Sequence, residues 1–157
     1  MHTARTDLKL LVPPPLLLLA AALLMWLIAV FVSGTRIAVP SRAIVGYTLL
    51  GAGVLIDVIS LLQFRSARTT FNPIKVDTAS TLVTSGIYRV SRNPMYVGQT
   101  LILLAWAVYL QNYLTLVVVV AFVIWLDRFQ VVPEERVLET KFGEQFRRYR
   151  REVRRWL

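Results

Sequence analysis

Long uncharged apolar stretches organise this chain. Leu10 to Thr35 carries no charge, and Ala43 to Phe64 is interrupted only by Asp57. A bilayer-spanning helix needs about 20 apolar residues, and each stretch is long enough. They predict two spans, over about 12–33 and 43–64. Pro13, Pro14 and Pro15 mark where the first begins. Its apolar region exceeds the roughly 7–15 residues of a signal-peptide core, and no A-x-A site follows. A third stretch, Met95 to Leu126, is also uncharged and is longer than either. As one helix it would be about 48 Å long at 1.5 Å per residue. That overshoots a hydrocarbon core of about 30 Å. Gln111 and Asn112, near its middle, predict a tight turn between helices over about 94–110 and 113–132.

Charge placement supports the hairpin. Arg65–Arg92 holds five basic residues (Arg65, Arg68, Lys75, Arg89 and Arg92) against one acid, Asp77, and nine basic residues follow from Arg128 onward. By the positive-inside rule both regions face the cytoplasm, so an even number of crossings separates them. The first inter-helix loop has only Arg36 and Arg42, and the hairpin turn has no charge. The expected architecture is an all-α integral membrane protein, a single domain over 1–157. It has four transmembrane helices, the last two a tight hairpin, with both termini cytoplasmic. A cytoplasmic loop over 65–93 and an amphipathic C-terminal helix over 134–156 complete it.

Composition agrees: 56% of residues are hydrophobic, only 17% are charged, and the net charge is +9. Soluble domains are less apolar and about 25% charged. Nucleic-acid modules share the basic charge but lack apolar runs of this length, so no nucleic-acid partner is expected. The absence of Cys excludes disulfides and thiol chemistry, and the one His, at position 2, argues against a zinc site.

With this orientation the polar residues of the spans gather at the cytoplasmic ends. Asp57 lies about 10 Å along its helix from that end. Gln99 is one turn into the third helix, Asp127 and Arg128 close the fourth, and Glu134 and Glu135 follow. Acids within a bilayer cost roughly 2.5–3.5 kcal/mol, so Asp57 and Asp127 either pair with arginines or line a cavity. Thr84-Ser85-Gly86 is turn chemistry. Asn93-Pro94 reads as a helix start with Asn as N-cap. The Leu82–Gly98 stretch is either an ordinary loop leading into a span or an anion site, with the helix N-terminus and Arg92 holding a carboxylate. Tyr88 and Tyr96 suit the interface belt or a bound cation. Pro133 ends or kinks the fourth helix; Glu134 and Glu135 then complement a helix dipole, or one of them points into the cavity. On a continuous helix Glu134, seven residues from Asp127, would share its face.

Beyond Leu138, the residues Leu138, Phe142, Phe146, Tyr149, Val153 and Trp156 recur every three or four positions. Arg147, Arg148, Arg150, Arg151, Arg154 and Arg155 fill the rest. This pattern predicts a helix lying on anionic lipid headgroups. Gly51 and Gly53 are small enough for close helix packing, and the oligomeric state stays open.

Ser85-Gly-x-Tyr88, Ser91-Arg-Asn-Pro-Met-Tyr-x-Gly98, Pro133-Glu-Glu-x-x-Leu138 and Phe142-Gly-x-x-Phe-x-x-Tyr149 occur in this order around the hairpin. Together they resemble the isoprenylcysteine carboxyl methyltransferase and phospholipid methyltransferase superfamily, over roughly Thr81 to Leu157. The resemblance implies an integral membrane enzyme, in a bacterial inner or cell membrane, that uses S-adenosylmethionine. It implies cofactor contacts from Gly86, Tyr88, Arg92, Asn93, Pro94, Met95, Tyr96, Gly98, Gln99, Glu134 and Glu135. Arg92, Asn93, Tyr96, Asp57 and Asp127 are the candidates for the chemistry. Eukaryotic carboxyl methyltransferases of this kind usually have His where Asn93 stands; Asn hydrogen-bonds but does not titrate near neutrality, so the position is read as binding.

A methyl acceptor that is hydrophobic or a lipid would enter from the bilayer: the carboxylate of an isoprenoid or prenyl-cysteine-like substrate, or a lipid headgroup. Two alternatives stand beside this reading. One is an NADPH-dependent membrane sterol or enone reductase, which shares an R-x-P-x-Y arrangement. The other is a non-catalytic membrane accessory protein.

Overall fold

The computed structural model describes residues 12–66 and 81–157. His2, Arg5, Lys9, Arg68, Lys75 and Asp77, some of which carry part of the charge argument, lie outside the described residues. The chain is helical: α1 (Pro14–Phe31), α2 (Arg42–Ser66), a 3-10 turn (Gly86–Arg89), α3 (Pro94–Leu110), α4 (Thr115–Leu126), a π turn (Asp127–Val131), α5 (Val132–Phe142) and α6 (Glu144–Glu152). α1, α2 and the continuous run Thr115–Phe142 are long and apolar enough to cross a membrane; α3, with 17 residues, is shorter. Leucines, valines and aromatics cover the outer faces of α1 and α2, as lipid-facing surfaces require.

The middle position belongs to α3, which packs against α1, α2 and α4. One cluster joins Ala21 and Met25 of α1, Leu103 and Ala107 of α3, and Val118, Val119, Phe122 and Leu126 of α4. By contrast, α2 joins the bundle through backbone proximity. A Cβ on Gly53 would sit 2.7 Å from the Gly98 carbonyl, and one on Gly98 would sit 2.8 Å from the Gly53 carbonyl. Small residues let spanning helices approach this closely. Gly51, the other candidate, has nothing within 4 Å of such an atom.

The predicted hairpin turn is present. Gln111 adopts the left-handed conformation (φ 51°), ending α3, and Asn112 restarts the chain: its carbonyl accepts from Thr115 Oγ1 at 2.6 Å and its Oδ1 from Leu114 N at 3.0 Å. The α1–α2 loop closes over this turn. Thr35 Oγ1 accepts from Asn112 Nδ2 at 2.7 Å, and Arg42 Nη1 donates to Gln111 Oε1 at 2.8 Å.

Two expectations for the C-terminal part are corrected. Pro133 does not end the helical run, because the π turn precedes it. There Val132 N–H donates to the carbonyl of Asp127, five residues back, and the wider turn accommodates a proline that lacks a donor. The single helix over 134–156 is instead two helices. They break at Gly143 (φ 53°, ψ −122°), and after Glu152 the chain becomes extended at Val153 (φ −122°, ψ 134°).

Candidate functional site

The end of the bundle opposite the hairpin turn holds a cavity of about 300 Å³, at the lower edge of the range for small-molecule pockets. Its walls come from distant parts of the chain. Pro13, Pro14 and Pro15 stand at the start of α1, Phe64 at the end of α2, and Thr81–Val83 and Tyr88 come from the connection. Arg92 through Tyr96 and Gln99 open α3, Glu134, Glu135 and Leu138 belong to α5, and Phe146 and Tyr149 to α6.

Local chemistry explains how the Ser85–Tyr96 segment is held. Gly86 takes φ 57°, a conformation that favours glycine. The Gln63 amide bridges the turn, donating to Ser85 O at 3.2 Å and accepting from Ile87 N at 3.1 Å. Tyr88 packs edge-on against Phe64 at 5.2 Å, and its carbonyl accepts from Tyr149 Oη at 2.6 Å. Burial pushes the Tyr88 and Tyr149 phenols up, so both are neutral hydrogen-bonding groups at physiological pH.

Pro94 begins α3 and Asn93 stands at its N-cap as expected, but the Asn93 side chain makes no capping bond. Its Nδ2 donates instead to Arg155 O at 2.9 Å. Pro94 has no N–H, and those of Tyr96 and Val97 return to Asn93 O at 3.1 and 3.2 Å. An anion at this helix start would therefore find chiefly the Met95 N–H. Arg92 does clamp a carboxylate, one from its own chain: Nη2 lies 3.0 Å from Glu135 Oε1, and both side chains are only 9–10% exposed. Burial draws the Arg92 guanidinium down from its ordinary value, and Glu135 opposes that. Its Nη1 donates to Arg150 O at 3.1 Å. Its Nε, and Oε1 of Gln99, are buried without a hydrogen-bond partner among the described residues. Polar atoms left this way are costly, and both residues line the cavity.

The two glutamates differ. Glu135 accepts from Arg92 and also from Arg155 Nη2 at 2.7 Å. Glu134 has no ion pair among the described residues; its Oε2 accepts from Tyr96 Oη at 3.4 Å. Nor does Glu134 share the Asp127 face. A π turn holds about one more residue than an α turn, so the eighth residue after Asp127, Glu135, comes back to it, and Arg155 bonds both.

Four expected site residues stand away from the cavity. Asp127 pairs with Arg155 Nη1 at 3.3 Å and accepts from Trp156 Nε1 at 3.1 Å, the structural alternative weighed for it. Asp57 packs against Gly98 at the α2–α3 crossing, and its Oδ1 is buried without a partner among the described residues. Gly98 serves that crossing and Gly86 its turn. Conversely, Phe146 and Tyr149, read from sequence as part of a lipid-facing stripe, are buried at 1% and 7% and face the cavity. Their place in the Phe142–Tyr149 motif was the available signal. Arg155 had none, standing among six similar arginines.

The phospholipid methyltransferase family pattern matches residues 41–145. This chain belongs to the phospholipid methyltransferase family. The matched region spans α2 through the start of α6 and contains the Ser91–Gly98 and Pro133–Leu138 motifs. An uncharacterised protein of Haemophilus influenzae (strain ATCC 51907 / DSM 11121 / KW20 / Rd) is 48% identical over 63 residues, which is 40% of this chain and 100% of that protein. No solved structure matches the chain. Family membership and the apolar helices make it an integral membrane protein of methyltransferase type. A membrane methyltransferase accounts for this better than a reductase does.

Proposed function

We propose that this phospholipid methyltransferase family member transfers a methyl group from S-adenosylmethionine to a hydrophobic or lipid acceptor, at the cytoplasmic ends of four spans. The observation that carries the reading is the cavity's mixture of unpartnered polar atoms and apolar walls. Arg92 Nε and the Met95 N–H can hold the methionine carboxylate. Glu134, with no arginine on it, can hold the ammonium or the ribose diol. Gln99 Oε1 accepts a further donor, and Leu138 and Phe146 give the cofactor an apolar bed. The faces of Tyr88, Tyr96 and Tyr149 suit a sulfonium cation.

When bound, the cofactor would supply a methyl group activated by its sulfonium, for transfer to an acceptor's lone pair with the thioether as leaving group. The protein's work is alignment and exclusion of water. Arg92 orients one end of the site, Glu134 and Tyr96 the other. A carboxylate acceptor is already anionic and needs no base. An amine acceptor must release a proton, and Glu134 is the cavity-facing carboxylate not committed to an arginine.

A second, apolar cavity of about 470 Å³ supports an acceptor with a long hydrocarbon chain. It lies between α1 and α2 over α3, lined by Leu18, Leu50, Gly46, Ile102 and Trp106 among others. On α3 its lining begins at Ile102, three residues after Gln99 of the first cavity.

The test is incubation of purified protein with methyl-labelled S-adenosylmethionine and a total lipid extract. Label in a chloroform-soluble product is expected. Saturable NADPH binding with no S-adenosylmethionine binding would overturn the reading in favour of a reductase. Absence of either would leave an accessory protein.

A further inference from the structure

After α6 the chain turns back across the site instead of leaving it. The Arg154 carbonyl accepts from Arg92 N at 3.0 Å, and the Arg155 carbonyl from Asn93 Nδ2 at 2.9 Å and Ser91 Oγ at 3.3 Å. Trp156 packs against the core shared by α1, α3 and α4 while its Nε1 donates to Asp127. The Arg155 guanidinium lies between two acids: Nη2 and Nε reach Glu135 at 2.7 and 3.3 Å, and Nη1 reaches both oxygens of Asp127 at 3.3 Å. None of these terminal residues lies within the family match, which ends at 145.

We infer that Arg155 is a positioning residue that assigns the two adjacent glutamates different tasks. Both oxygens of Glu135 are taken, by Arg92 on one side and Arg155 on the other. A planar guanidinium fork can hold two carboxylates in fixed geometry where an ammonium cannot. Held this way, Glu135 fixes the Arg92 side chain at the cavity wall, and the neighbouring Glu134 is left to the ligand. The π turn is the other half of the device, because it brings Asp127 and Glu135 to one face. Without Arg155, Arg92 would be the one partner left to Glu135, and the carboxylate that holds the guanidinium would lose its second tether.

The inference rests on the S-adenosylmethionine reading and is tested so that the two can fail separately. Binding of S-adenosylhomocysteine to the purified full chain is measured by calorimetry for wild type, Arg155→Ala and Arg155→Lys, with thermal melts alongside. Arg155→Ala should weaken binding at least about tenfold, the loss of one charge-assisted contact's worth of ordering. Arg155→Lys should recover part of it. Millimolar guanidinium should restore binding to Arg155→Ala where equal potassium chloride does not, a rescue that a general loosening of the tail would not give. Wild type that binds, with Arg155→Ala binding equally well or unrescued by guanidinium, overturns the positioning role alone. Wild type that fails to bind overturns both.

Discussion

At the hairpin end of the bundle Asn112 is 2% exposed, and its side chain both donates to Thr35 and accepts from Leu114. At the other end Gln99 is buried and Arg92 half-buried, yet each keeps a buried atom with no partner among the described residues. The first end is closed by the chain's own groups. The second is closed by them only in part, and the two residues with missing partners line a cavity. Buried polar groups are nearly always satisfied in stable structures, so the contrast sets Asn112, whose groups hold the fold, against Arg92 and Gln99, which line the cavity; Asp57, also unpartnered, stands outside it.

Removing Arg92 should have the largest effect, because it is both ion-paired within the fold and part of the cavity wall. Arg92→Ala leaves Glu135 with Arg155 alone and should cost about 1.5–3 kcal/mol of stability, the value of a charged hydrogen bond, together with cofactor binding. Chemical denaturation in detergent and calorimetry read the two losses. Gly53→Leu comes next: its side chain meets the Gly98 carbonyl and should cost about 1–3 kcal/mol by overpacking, seen as a lowered Tm.

Glu134→Gln sharpens the comparison most. It should weaken S-adenosylmethionine binding about 10–100-fold, the value of a charged hydrogen bond, with the melting temperature nearly unchanged. Asn112→Ala is its mirror image. Stability should fall by about 1–2 kcal/mol as Thr35 loses its partner, and binding should stay as in wild type. An Asn112 variant that lost binding while keeping its stability would break the distinction between the two ends. The smallest effect is expected from Gly46→Phe in the α1–α2 groove: a severalfold higher KM for a long-chain acceptor, with cofactor affinity unaltered, measured by varying acceptor chain length.

The same contrast explains what was legible beforehand. Asn112 and Gln111 stood out because two polar residues interrupt a long uncharged stretch, and that interruption has one cheap solution, a turn. The start of α3 at Pro94 was equally plain. The partner of the Asn93 side chain was not, since the amide's choice between its own helix and the Arg155 carbonyl depends on a segment at the far end of the chain. Asp127 and Asp57 looked alike as acids near the same depth. Only packing distinguishes them, one ion-paired to the tail and the other pressed against Gly98.

By itself the sequence determined the apolar helices, the turn between α3 and α4, and the motifs that carry the family, because hydropathy, proline and local spacing act over a few residues. The tertiary structure decided which of the two cavity-lining glutamates carries no arginine, which arginine joins Asp127 to Glu135, and that the basic tail folds over the site. The physical reason is that a π turn changes the facing of every later residue by about one position. An ion pair, moreover, is decided by distances between segments, not by the identity of one arginine among many.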